Sequence, residues 1–197
     1  MKRVAITGGI ASGKSTAAEY IKKLGYPVFS CDEIYKSVIQ EQEYIQTVER
    51  YFPACVQDGK INRNILSKII FDDSQKREQL NQIAHPLIMK ELYKQMNECN
   101  SMLVFAEVPL LFEGGYENAF DNVIVIKRNY QDRIKDLMKR NQISKEEARK
   151  KIYAQFDYDS NDANFRFKSC EALLVQNEGS FTDLKKQIED IILLLSR

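Results

Sequence analysis

Near the start of the chain, Gly8-Gly9-Ile10-Ala11-Ser12-Gly13-Lys14-Ser15 fills every fixed position of the pattern G-x-x-x-x-G-K-[ST]. Glycines let backbone N–H groups turn inward and approach phosphate oxygens, and a helix starting near Lys14 would aim its positive end at the same anion. Gly8, Gly9, Ala11, Ser12, Gly13 and Thr16 would form the grip. Lys14 would reach the β- and γ-phosphates, and Ser15 would place its hydroxyl on the Mg²⁺ that bridges them. A glycine turn that only joins strand to helix has no reason to end in Lys-Ser. The pattern therefore specifies a nucleoside triphosphate site and leaves the reaction open, since switches, motors and kinases share it.

Other residues could decide the reaction. Asp32 follows the apolar Tyr26-Pro27-Val28-Phe29 and could act as base or orienting group for an acceptor hydroxyl; the alternative is a helix N-cap before Glu33-Ile34-Tyr35. Glu107 closes an apolar run, where a carboxylate near the metal or a merely solvated one would both fit. Between residues 127 and 151 ten basic residues face four acidic ones, an excess of about +6. That segment, centred on Arg140, suits a lid that neutralises transferring phosphoryl oxygens, against the alternative of a solvated helix face. His85, the single histidine, precedes Pro86, a pair that reads as a helix start with proline in its first turn.

These groups need elements to hold them. Residues 3–7 read as a buried strand, broken by Gly8 and Gly9, and Ala17, Ala18, Ile21 and Leu24 then recur at helical spacing until Gly25. Residues 26–29 make a second strand. From 32 to about 100 the pattern is helical, interrupted at Pro53 and at Asp58-Gly59, with no convincing strand. Strand character returns at 102–107, 122–127 and 172–176. A closing helix shows Phe181, Leu184, Ile188, Ile191 and Leu195 on one face. The whole reads as an α/β fold: a parallel sheet of about five strands flanked by helices, with core residues about 1–32, 101–127 and 170–197, a helical substrate lobe about 33–100 and a helical lid about 128–155.

Composition narrows the partners. The chain has 197 residues, 44% apolar and 29% charged, enough for one sizeable core. A net charge of +1 gives no reason to expect nucleic acid. Only three consecutive apolar residues, Val4-Ala5-Ile6, follow Lys2 and Arg3, so neither a secretory signal nor a membrane span is expected. Cys31, Cys55, Cys99 and Cys170 are scattered and suggest thiols in a reducing cytoplasmic setting.

Taken in order, Ile6 and Thr7 with the phosphate loop, Cys31-Asp32 before a helix, His85-Pro86, and Val108-Pro109-Leu110-Leu111-Phe112-Glu113 resemble the dephospho-CoA kinases across nearly the whole chain. The resemblance implies a P-loop NTPase fold, ATP as co-substrate with Mg²⁺, and transfer of the γ-phosphate to the ribose 3′-hydroxyl of dephospho-CoA. It further implies that Asp32 serves the acceptor hydroxyl, that His85, Pro109 and Leu110 lie on the substrate side, that Arg140 contacts ATP phosphates, and that Asn177 lies beside the adenine. Two departures stand out. Asp136 occupies a position where the family commonly has arginine, and at i, i+4 could pair with Arg140, shifting lid chemistry to Arg133 or Lys139. Residues 156–172 also fit the family pattern poorly. Another nucleoside or nucleotide monophosphate kinase is the nearest alternative. A nucleotide switch would need Asn-Lys-x-Asp after a strand, where Lys127-Arg128-Asn129-Tyr130 stands.

Overall fold

The computed structural model describes residues 1–71, 73–158 and 171–197. Of the divergent 156–172 stretch, residues 159–170 lie outside the described residues, Cys170 among them.

Strands β1 (Lys2–Thr7), β2 (Val28–Ser30), β5 (Leu103–Glu107), β6 (Asn122–Lys127) and β7 (Glu171–Gln176) form one parallel sheet in the order β2-β5-β1-β6-β7. The three middle strands are buried on both faces, which is why they read as unbroken apolar runs rather than alternating ones. From β1 the chain first supplies strands to one side and later to the other. That reversal puts a crevice at the carboxyl end of β1, where open α/β sheets bind ligands.

Helices α1 (Lys14–Lys23) and α8 (Phe181–Leu195) cover one region of this sheet, with Ala17, Ala18 and Ile21 meeting Leu184, Ile188, Ile192 and Leu195 over Val4, Ile6, Phe105, Ile124 and Ile126. The buried face of α8 differs from the sequence reading. Ile192 enters the core, Ile191 is only partly buried, and Phe181 is 50% exposed, with its ring edge on Tyr20 and the Lys185 ammonium over it. Gly25 follows the C-cap of α1 with φ +92, a conformation open to glycine.

Helices α6 (Tyr130–Asn141) and α7 (Lys145–Tyr153) form a hairpin with its own small core of Ile134, Leu137, Ala148 and Ile152. Asn129 caps the first, and Ser144 with Glu147 makes a capping box on the second.

Residues 30–97 form a separate compact unit. It contains α2 (Cys31–Val38), α3 (Gln42–Tyr51), α4 (Arg63–Phe71) and most of α5 (Ser74–Glu98). The expectation of no strand there is corrected by a minimal hairpin, β3 (Val56–Gln57) and β4 (Lys60–Ile61). Its turn residues Asp58 and Gly59 have φ +49 and +68, the backbone of a tight two-residue hairpin turn. The helix start expected at His85-Pro86 is also corrected, because Pro86 lies inside α5. Leu80 and Ala84 before it, and Ile88, Met89, Leu92 and Met96 after it, are buried, and this continuous packing outweighs the roughly 3 kcal/mol cost of an internal proline.

Candidate active site

The phosphate loop occupies the turn between β1 and α1. Gly8 has φ +145, and a Cβ there would come within 2.3 Å of the Ile126 carbonyl oxygen; one on Gly13, at φ +99, would come within 2.3 Å of Asn177 Nδ2. Both positions require glycine for backbone angle and for space. Ala11 also takes a left-handed angle, φ +61, at a cost of about 1 kcal/mol that surrounding contacts must outweigh. Gly13 is the N-cap of α1 and no side chain caps that end, so the helix presents its first-turn N–H groups and positive dipole end to the loop. Lys14 is buried, and its ammonium donates to the carbonyls of Gly8 at 2.8 Å and Gly9 at 3.0 Å. Ser12 is buried with its hydroxyl unpartnered, a group that a phosphate oxygen would satisfy.

Ser15 Oγ donates to Glu107 Oε1 at 2.7 Å, joining the start of α1 to the carboxyl end of β5. A hydroxyl beside a carboxylate is an all-oxygen donor set of the kind Mg²⁺ takes, and phosphates and waters ordinarily complete its shell. Among the described residues no cluster of three His, Cys, Asp or Glu side chains exists to hold a softer metal.

A cavity of about 530 Å³ opens beside the loop, lined by Ala11, Gly13, Lys14, Ser15, Thr16, Arg128, Asp136, Lys139 and Arg140. Its cationic lining suits a polyanion. Asp136 pairs with Arg128 at 2.6 Å, not with Arg140 as the i, i+4 spacing suggested. Arg140 is exposed and donates from Nε to Asn141 Oδ1 at 3.1 Å. Arg133, considered with Lys139 for the lid chemistry, is 2% exposed, and its Nε donates to the Ile10 carbonyl at 3.0 Å.

Several groups that brace the loop escaped the sequence reading. Gln155 Oε1 accepts from the Ile10 N–H at 2.6 Å, and Tyr158 Oη lies 3.1 Å from Thr7 Oγ1. Burial of the Tyr158 phenol pushes its pKa well up, so the hydroxyl stays protonated. Glu113 Oε1 accepts from the Phe156 N–H at 2.8 Å, and the rings of Phe112 and Phe156 stand 4.8 Å apart. Phe112 and Glu113 thus hold the segment that braces the loop. Arg133 carried one readable sign, since it lies with Tyr130, Ile134 and Leu137 on the apolar stripe of α6. Gln155 and Tyr158 carried none.

Asn177 donates from Nδ2 to the Ser12 carbonyl at 2.8 Å, which seats the end of β7 against the loop. Pro109 and Leu110 are half-buried in the turn after β5, anchored by the fully buried Leu111. In the 30–97 unit, Asp32 is exposed and is the second residue of α2, whose N-cap is Ser30. The N-cap role considered for Asp32 is therefore removed. His85 is half-buried in α5, and burial pushes its pKa down against the opposing pull of Glu78.

The family model for dephospho-CoA kinase matches residues 2–183. A dephospho-CoA kinase from Lactobacillus johnsonii is 35% identical over 198 residues, covering 98% of this chain and 97% of its own. A crystal structure of a Thermus thermophilus protein superposes with a TM-score of 0.81 at 28% identity, covering 98% of this chain and 97% of that one. The dephospho-CoA kinase from Campylobacter jejuni superposes with a TM-score of 0.67 at 27% identity, over 98% of this chain and 96% of that one. A match running from β1 into α8 spans every element that shapes the loop and its cavity, and the chain belongs to the dephospho-CoA kinase family.

Proposed function

We propose that the chain transfers the γ-phosphoryl group of ATP to the ribose 3′-hydroxyl of dephospho-CoA, the last step of coenzyme A synthesis, with Asp32 serving the acceptor hydroxyl. The observation that carries the reading is the joining of an uncapped helix start, Lys14 and the Ser15–Glu107 pair at one sheet edge, in a chain of this family. The acceptor oxygen bonds to the γ-phosphorus as the bond to the β-phosphate oxygen breaks, ADP leaves, and the hydroxyl proton passes to the Asp32 carboxylate and then to solvent. Lys14 moves from the Gly8 and Gly9 carbonyls to the phosphates, and Arg140, with Arg128 and Lys139 in the same cavity, offsets charge on the transferring oxygens. Ser15 and Glu107 would hold Mg²⁺, which when bound neutralises the β- and γ-oxygens. In this reading Asn177 serves the adenine, and His85, Pro109 and Leu110 serve the acceptor, as the family resemblance implies.

Steady-state assays with ATP and a panel of acceptors test this. Dephospho-CoA should be phosphorylated in preference to any nucleoside or nucleoside monophosphate, and the reverse order would assign a different kinase. Asp32→Asn should lower kcat by about 10² or more and leave the KM for ATP within about twofold. Unchanged turnover would remove Asp32 from the reaction.

A further inference from the structure

Ile10 has both backbone polar groups engaged by side chains remote in sequence. Its N–H donates to Gln155 Oε1 at 2.6 Å across 145 residues, and its carbonyl accepts from Arg133 Nε at 3.0 Å across 123. The Arg133 guanidinium also lies against Gly9, where a Cβ would come within 2.2 Å of Nη2. The side chains of Ile10 and Ala11 pack on the apolar core of the α6–α7 hairpin. Gln155 is itself fixed, since the backbone N–H of the next residue, Phe156, donates to Glu113 and its ring packs against that of Phe112.

We propose that Arg133 and Gln155 are positioning residues for the nucleotide, a clamp on Ile10 that keeps Ala11 in its left-handed conformation before ATP arrives. Ala11 at φ +61 is the one non-glycine left-handed residue of the loop. Such a conformation persists only when its surroundings over-determine it. Gln155 holds the Gly9–Ile10 peptide through its N–H and Arg133 holds the Ile10–Ala11 peptide through its carbonyl, so both peptides that lead into Ala11 resist rotation and the N–H groups that follow stay turned toward the anion. Without the clamp Ala11 relaxes to negative φ, the preformed cradle is lost, and ATP must reorganise the loop as it binds. Because Ile10 and Ala11 also complete the α6–α7 core, the same clamp sets where Lys139 and Arg140 stand relative to the phosphates.

The inference rests on the reading of residues 8–15 as the ATP site, so the test measures ATP binding without acceptor. Calorimetric titration of the full chain with ATP should show Gln155→Leu raising Kd about tenfold. Gln155→Met, of similar length, should do the same and serves if the leucine variant does not fold. Ala11→Gly combined with Gln155→Leu should recover most of the loss seen with Gln155→Leu alone, because glycine takes the left-handed angle without a clamp. A general loss of packing would not be rescued in this way. Folded Gln155→Leu or Gln155→Met that binds ATP as wild type does, or a double variant without recovery, overturns the clamp. Wild-type protein that binds no ATP overturns the reading of the loop and the clamp with it.

Discussion

Lys14 closes the loop on itself by donating to the Gly8 and Gly9 carbonyls, so its ammonium is held at the mouth of the grip before any phosphate is present. Lys14→Ala should therefore lower kcat/KM for ATP by about 10² or more, measured by initial rates against ATP concentration, with both kcat and KM affected. His85 makes a different residue-scale prediction. Its folded-state pKa lies below the ordinary 6.5, so as pH falls the unfolded chain takes up the proton first and stability drops below the ordinary imidazole range. Urea midpoints of wild type should fall relative to those of His85→Gln between about pH 7 and pH 5, and parallel midpoints would show that His85 is not protonated differently in the two states. Residues whose chemistry is tied to a contiguous motif, such as Lys14 and Ser15, were legible in the sequence. Arg133, Gln155 and Tyr158 act through folded proximity, and no local pattern encodes a partner 123 or 145 residues away.

At the scale of elements, the strands were legible because burial on both faces leaves an uninterrupted apolar run, as in Leu103–Glu107. The β3–β4 hairpin was not, since two-residue strands carry too little pattern; Asp58-Gly59 read only as an interruption, and the pairing and positive φ values show it to be a hairpin turn. Pro86 misled for a physical reason: a proline's local cost is decided by the tertiary packing on either side of it. Helix α8 shows local chemistry reinforcing the fold. Ser180 Oγ accepts from the Asp183 N–H, and the Asp183 carboxylate accepts from the Ser180 N–H and hydroxyl. That bonding holds the Asp183 carboxyl below its ordinary range. Ser180→Ala should cost about 1 kcal/mol in chemical denaturation and leave the KM for ATP unchanged.

Over the whole molecule, charge is nearly balanced at +1, yet residues 127–151 carry an excess of about +6. Internal pairing does not cancel it. Asp132, Asp136 and Glu146 pair with Lys135, Arg128 and Lys150, and Glu147 is engaged in the Ser144 capping box. All four acidic groups of the segment are so used, and Lys139 and Arg140 stand on the cavity beside the phosphate loop. Lys139 and Arg140 put part of that excess beside the loop where polyanionic ATP is to be held, and attraction from exposed charges is screened over about 8 Å at physiological salt. Raising KCl from about 50 to 500 mM should lower kcat/KM for ATP several-fold and change kcat much less, because salt weakens long-range attraction while leaving the close contacts of the loop in place. Neutralising both Lys139 and Arg140 to glutamine should flatten that salt dependence, whereas Lys145→Gln and Lys150→Gln, on the exposed face of α7, should change it less. Equal flattening by either pair would mean that net charge alone, and not its placement at the loop, guides the nucleotide.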